Sequence, residues 1–121
     1  MLTHAMELYP DKFVISTEAS AGATTDVGLK IDLGSWVRAE GYFLDIIEDL
    51  NYNVIGWIDW NACLNMEGGP SYVDTSSDST IIVDAEAGEF VKQPTFYALG
   101  HASKFVPPGS VRIHVSEENA G

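Results

Sequence analysis

Three features of the sequence predict a parallel α/β fold: a short apolar run that closes on Glu18, a second at residues 53–60 that closes on Asp59, Trp60 and Asn61, and a helical stripe between them. Each run is too short and too apolar for a surface helix, so each reads as a buried strand. Strand, helix, strand with short connections is a βαβ unit, whose strands run parallel with a right-handed crossover. Both strands then end on one rim, the side of a parallel sheet where ligands bind.

Residues 12–17 carry Phe13, Val14 and Ile15; beyond Glu18 the small residues Ala19, Ser20, Ala21, Gly22 and Ala23 leave room for a ligand. Ser35 is a good helix N-cap, and Phe43, Ile46, Ile47 and Leu50 follow at i, i+3, i+4 and i+7, with Gly41, Glu48 and Asp49 weakening the helix slightly. Residues 62–93 form a long connection of the kind that is more often functional than filler. It holds the turn signal Glu67, Gly68, Gly69 and Pro70, a serine-rich loop at 74–80, and a hairpin of 81–84 against 89–92. Pro94 suits the first turn of a helix that Pro107, Pro108 and Gly109 stop. Residues 111–115 alternate as a final strand.

The 121 residues, 45% hydrophobic and 11% aromatic, suffice for one ordered domain. A net charge of −12, from 18 acids against 6 bases, removes the electrostatic basis for binding nucleic acid. The low pI of about 4.3 suits an acidic compartment, because self-repulsion shrinks as carboxylates protonate. The single Cys63 excludes an internal disulfide and is expected to be inert. No apolar run reaches membrane-spanning length, and the first residues lack the pattern of a signal peptide.

A carboxylate at a strand end before small residues suits nucleophilic or acid/base work, and Glu18 is the candidate; the pattern alone also fits a helix-initiating or solvated loop acid. Trp36 and Trp57 read as core, whereas Trp60, at a strand end, can offer its flat ring to a ligand. His4, His101 and His114 are too scattered for a metal site, and no cofactor or metal is expected. Asp78, Asp84, Glu86 and Glu89 lack the spacing of a calcium loop and read as a solvated face. No N-glycosylation sequon is present.

The strings FVISTEASAG, GWIDWNACLNMEGGP, DSTIIVD and KQPTFYALGHASKF resemble, in order and almost unbroken from Phe13 to Ile113, the closing part of glycoside hydrolase family 30 in its animal glucosylceramidase form. The resemblance implies the last two βα units of a (β/α)₈ barrel over residues 1–107 and the first strand of a β-sandwich over 108–121. It also implies that Glu18 is the nucleophile, that Trp60, flanked by Asp59 and Asn61, lines the sugar site, and that the reaction is retaining hydrolysis of a β-glucoside, glucosylceramide. The family's acid/base sits in an Asn-Glu-Pro string that does not occur here, so it is expected upstream; Asp59 is a poor substitute, since alternation sends it to the face opposite Trp60 unless the strand end is bulged. Ser20 stands where animal members often have cysteine, and Thr75 where many have an active-site asparagine.

By the same resemblance the setting is lysosomal, with peripheral membrane contact and a small activator protein as partner. Two other readings stay open: a non-catalytic remnant that binds a sugar or a partner protein through Trp60, and another family member such as a β-xylosidase or β-1,6-glucanase. Because a whole barrel takes roughly 200 residues or more, this stretch amounts to about a quarter of one, with unpaired edges and exposed apolar surface expected.

Overall fold

The computed structural model describes residues 2–22, 31–72 and 76–113. Along the chain these form α1 (Leu2–Leu8), β1 (Val14–Ala19), α2 (Trp36–Asn51), β2 (Val54–Asp59), β3 (Leu64–Asn65), β4 (Ile81–Asp84), β5 (Glu89–Lys92) and α3 (Pro94–Phe105). β1 and β2 pair in parallel, with α2 as the crossover between them, as the alternation of apolar runs and helical stripe predicts. The second sheet is β3-β4-β5; its antiparallel hairpin runs from Ile81↔Lys92 to Asp84↔Glu89, the predicted register. Two elements escape sequence reasoning. α1 has no acid in its first turn and no base in its last, and β3 has two residues, too few to show a period.

α2 starts after Ser35 as expected, yet the Ser35 side chain caps nothing. Ahead of the helix the backbone is held by distant side chains: Gly34 N–H donates to Gln93 Oε1 at 2.8 Å, and Asp32 N–H to Asp78 Oδ2 at 3.4 Å. The buried arc of α2 is Ala39, Tyr42 and Ile46, rotated from the predicted stripe, so that Phe43 and Ile47 stay exposed. Tyr42 draws that arc toward β2, its ring meeting Trp57 edge-on with centroids 5.1 Å apart. Trp36, expected in the core, is 67% exposed; it opens the first turn of α2 and lines a shallow apolar groove with Phe43 and Tyr97 rather than the helix–sheet interface. Trp57 is half-buried, and its Nε1–H donates to Asp45 Oδ2 at 2.7 Å.

The largest departure concerns Asp78. Expected on a solvated acidic face, it is 5% exposed and forms the junction of three loops. Oδ2 pairs with Arg38 Nη1, Oδ1 accepts from Gln93 Nε2 at 3.1 Å and from Ser79 N–H at 2.8 Å, and the Asp78 N–H donates to Ala21 O at 2.9 Å. Residues 76–80 are a loop, as the serine-rich composition implies, but Ser77, Ser79 and Thr80 are buried with Asp78. Ser79 Oγ donates to Asn61 O at 3.0 Å and Thr80 Oγ1 to Ala62 O at 3.2 Å, which discharges their polar groups in the interior.

The turn at Glu67–Gly69 closes over this loop. A Cβ on Gly68, whose φ is +79°, would stand 2.6 Å from Ser77 O, so only glycine lets the two backbones approach. α3 begins with Pro94 in its first turn, as predicted. Residues 111–113 are not a strand: Arg112 Nε–H reaches Asn53 Oδ1 at 3.1 Å, and no described strand pairs with them; 114 and 115 lie outside the described residues, as do His114 and Thr75.

Removing the cation from the buried pair strands a carboxylate in the interior. Arg38→Met should lower stability by about 3–5 kcal/mol, the range for breaking a buried ion pair from one side. The exposed Glu86→Gln should change it by less than about 0.5 kcal/mol. Urea unfolding followed by circular dichroism measures both, and equal effects would contradict the assignment.

A candidate active site on the rim of the parallel strand pair

The register between β1 and β2 slips twice. Val14 opposes Val54, Ser16 opposes Trp57 and Ala19 opposes Asp59. Between the first two pairs Ile55 and Gly56 face the single Ile15; between the last two, Thr17 and Glu18 face the single Ile58. Paired residues of parallel strands share a face, so Ser16, Ala19, Trp57 and Asp59 lie on the α2 side, where Tyr42 and Asp45 hold Trp57 and Asp59. The second slip therefore adds one residue to β1 at its carboxyl end, and Glu18 lies at that extra residue, bordering the groove it shares with Arg38, Tyr42 and Trp57. Bulges of this kind re-aim side chains beside active sites. The bulge that the sequence leaves as a condition on Asp59 lies instead on the neighbouring strand.

Glu18 is exposed, one residue before the end of β1. Trp60 follows β2 directly, and its N–H donates to Ala19 O at 2.8 Å. That bond fastens the residue after Glu18 to the candidate sugar platform, and Trp60 is 39% exposed. Glu18, Asp59, Trp60 and Asn61 thus share one rim, as the βαβ argument requires, though they border separate depressions. Glu18 opens on a groove of about 560 Å³ with Arg38, Tyr42 and Trp57, while Asp59 and Asn61 line one of about 420 Å³ with Thr80, Phe96 and Leu99. Ser20, at the position noted as a departure, lies on the Glu18 groove.

Asp59 is turned inward. Its Oδ1 accepts from the Tyr42 hydroxyl at 2.9 Å, and its Oδ2 is buried with no hydrogen-bond partner. Burial pushes the Asp59 carboxyl above the ordinary aspartate range; the Tyr42 hydroxyl and the Trp60 amide oppose the rise, and the charge of Asp78 adds to it. Burial first, and then Asp59, drive the Tyr42 hydroxyl far above the usual tyrosine range, so it remains a donor. Tyr42, Arg38 and Asp78 are the site residues that sequence reasoning misses. Tyr42 stands beside the stripe at Phe43 with nothing to mark its hydroxyl, and Asp78 sits in a stretch whose composition reads as loop.

Among the described residues no group of three His, Cys, Asp or Glu side chains could hold a metal ion, and no helix is long and apolar enough to cross a membrane. Cys63 is an exposed free thiol, and His101 is exposed with Nδ1 2.8 Å from Tyr97 O.

Residues 1–106 match the TIM-barrel domain of glycosyl hydrolase family 30. The chain is 52% identical over 110 residues to putative glucosylceramidase 3 of Caenorhabditis elegans, covering 91% of this chain and 21% of that protein. It is 47% identical over 106 residues to the lysosomal acid glucosylceramidase of Mus musculus, covering 88% and 20%. Among solved structures it is similar to SrfJ from Salmonella typhimurium, with a TM-score of 0.73 at 28% identity over 89% of this chain and 23% of that one. An endo-β1,6-glucanase shares the fold, with a TM-score of 0.71 at 22% identity over 89% of this chain and 24% of that one. The chain spans about a fifth of the length of the curated relatives it matches.

A carboxyl whose pKa is raised by folding binds its proton more tightly in the folded state, so its contribution to stability is fully present below the ordinary aspartate value. That contribution is lost as pH climbs through the raised one. The Asp59→Asn chain should therefore lack this part of the loss. Relative to wild type it should gain stability from about pH 4 upward, levelling off above the raised value. Urea midpoints across that range measure it, and parallel pH profiles in the two proteins would refute the assignment.

Proposed function

The chain belongs to glycosyl hydrolase family 30, and from that premise we propose that it supplies the nucleophile side of a retaining β-glucosidase site acting on glucosylceramide. Glu18 attacks the anomeric carbon as the bond to the leaving oxygen breaks; an acid on the opposite side, about 5–5.5 Å from the nucleophile in retaining enzymes, protonates that oxygen. Water then cleaves the glycosyl ester on Glu18, with the same acid acting as base. Residues 1–107 contribute the last two βα units of the barrel.

The observation that carries this reading is the bond from the Trp60 N–H to Ala19 O, which joins the strand end bearing Glu18 to the ring that stacks on glucose. Asn61, its carbonyl held by Ser79, offers its amide beside that ring. Asp59 acts from behind Trp60: with one oxygen on Tyr42 and the other buried, it steadies the turn rather than donating a proton to a glycoside. The acid/base therefore comes from a strand upstream of these residues. The high identity to glucosylceramidases, one of them named as lysosomal, supports a glycolipid substrate and a lysosomal setting. Peripheral contact with a membrane and a small activator protein belong to the same reading.

The test is a chimera in which this chain replaces the matching segment of the 52% identical relative. It should hydrolyse aryl β-glucosides, and Glu18→Gln should lower kcat by ~10³-fold or more, as removal of a nucleophile does. Trp60→Ala should raise KM more than it lowers kcat. An active chimera that tolerates Glu18→Gln would reject the reading.

A further inference from the structure

Three hydrogen bonds close a circuit behind the rim. Trp60 N–H donates to Ala19 O at 2.8 Å, Asp78 N–H to Ala21 O at 2.9 Å, and Ser79 Oγ to Asn61 O at 3.0 Å. Trp60 and Asn61 are adjacent in the chain, as are Asp78 and Ser79, and only Ser20 separates Ala19 from Ala21. The circuit therefore ties together three short stretches from distant parts of the sequence. Glu18 stands one residue outside it on β1, and Trp60 is one of its corners.

Two of the three links run from backbone to backbone. The third depends on one side chain, the Ser79 hydroxyl. Ser79 is 2% exposed, and its own N–H donates to Asp78 Oδ1 at 2.8 Å, so the hydroxyl reaches Asn61 O from a backbone already held. A carbonyl that loses its donor away from water is costly, and the chain relieves the cost by turning that carbonyl toward another partner. Asn61 O can turn only if the backbone around Trp60 and Asn61 turns with it. Displacing a substrate-positioning group by about 1 Å costs roughly 10²-fold in rate.

We propose that Ser79 is a positioning residue for the sugar chemistry: by holding the Asn61 carbonyl it sets the backbone that carries Trp60 and Asn61 at a fixed offset from Glu18. It acts through that backbone and needs no contact with substrate. The inference rests on the reading of Glu18 as nucleophile and Trp60 as sugar platform, and it adds to them a residue from the buried loop ahead of β4.

The test uses the chimera described above. Ser79→Ala should lower kcat/KM for aryl β-glucosides by roughly tenfold or more. Ile46→Val, which thins the core on α2 away from the circuit, should lower the melting temperature but leave kcat/KM within about twofold of wild type. In a Trp60→Ala background the effect of Ser79→Ala should shrink by about threefold or more, because the ring whose place the hydroxyl sets is gone. A serine that served the fold alone would lower activity by the same factor in both backgrounds. Ser79→Cys, close in size but with only a weak S–H donor, should follow the same pattern and takes the place of the alanine variant if that one does not fold.

Equal losses with and without Trp60, or a kcat/KM no lower than that of Ile46→Val, would overturn the proposal. Activity retained by the Glu18→Gln chimera would remove the premise and the proposal with it. An inactive Glu18→Gln chimera beside an additive Ser79 effect would sink the positioning role alone.

Discussion

The buried carboxylate of Asp78 is the constraint on which the rest of the structure depends. A charge taken out of water is tolerated only when a countercharge and enough hydrogen bonds meet it, and Arg38, Gln93 and the Ser79 amide do so here. Each partner belongs to a different part of the chain: Arg38 to the first turns of α2, Gln93 to the residue before α3, Ser79 to the loop ahead of β4. Satisfying one carboxylate therefore fixes the entry of two helices and the path of a buried loop. Through its own N–H to Ala21 O, Asp78 also pins the residues that follow Glu18. A chain with few large apolar side chains fully buried thus holds its rim together with polar groups, and that rim carries the candidate chemistry.

Below that junction, register decides which residues of the two strands oppose one another. In an unbulged pair Ser16 and Glu18 would share a face, and Glu18 would lie with Trp57 and Asp59 against α2. The slip that sets Thr17 and Glu18 against Ile58 breaks that alternation, so that Ala19 rather than Glu18 takes the place opposite Asp59. A single residue of register sends every following side chain to the other side. The Tyr42–Asp59 bond and the Trp60–Ala19 bond then hold the two strand ends at matched height. Membership of glycosyl hydrolase family 30 supplies a chemistry for this geometry; the geometry by itself supplies only an acid one residue before Ala19, whose carbonyl is tied to the backbone of Trp60.

Much of this was legible from residues alone. The βαβ unit, the hairpin register and the start of α3 follow from apolar periodicity, turn chemistry and Pro94, all local signals. The misreadings share a cause, which is that pairing over long sequence distances leaves no local trace. Asp78 meets Arg38 forty positions away, so its stretch shows only serines and acids and reads as solvated. Trp36 reads as core because of its size, yet its place on α2 turns it to the groove facing α3. The Ser35 cap fails in detail, its side chain bonding none of the first helical amides, while Gln93, 59 residues on from Gly34, holds the backbone just ahead of the helix. Ile55 and Ile58 lie on a strand that reads as buried, yet both are exposed in the described two-stranded sheet.

The measurement that bears most directly on the placement of Glu18 is covalent trapping. A mechanism-based β-glucosidase inactivator, applied to the chimera that carries this chain and followed by peptide mass mapping, should leave one glucosyl group on Glu18. Fluorescence of Trp60 should be perturbed as the ring meets the sugar. Attachment at any other carboxylate, Asp59 included, would contradict the placement of the nucleophile on this rim.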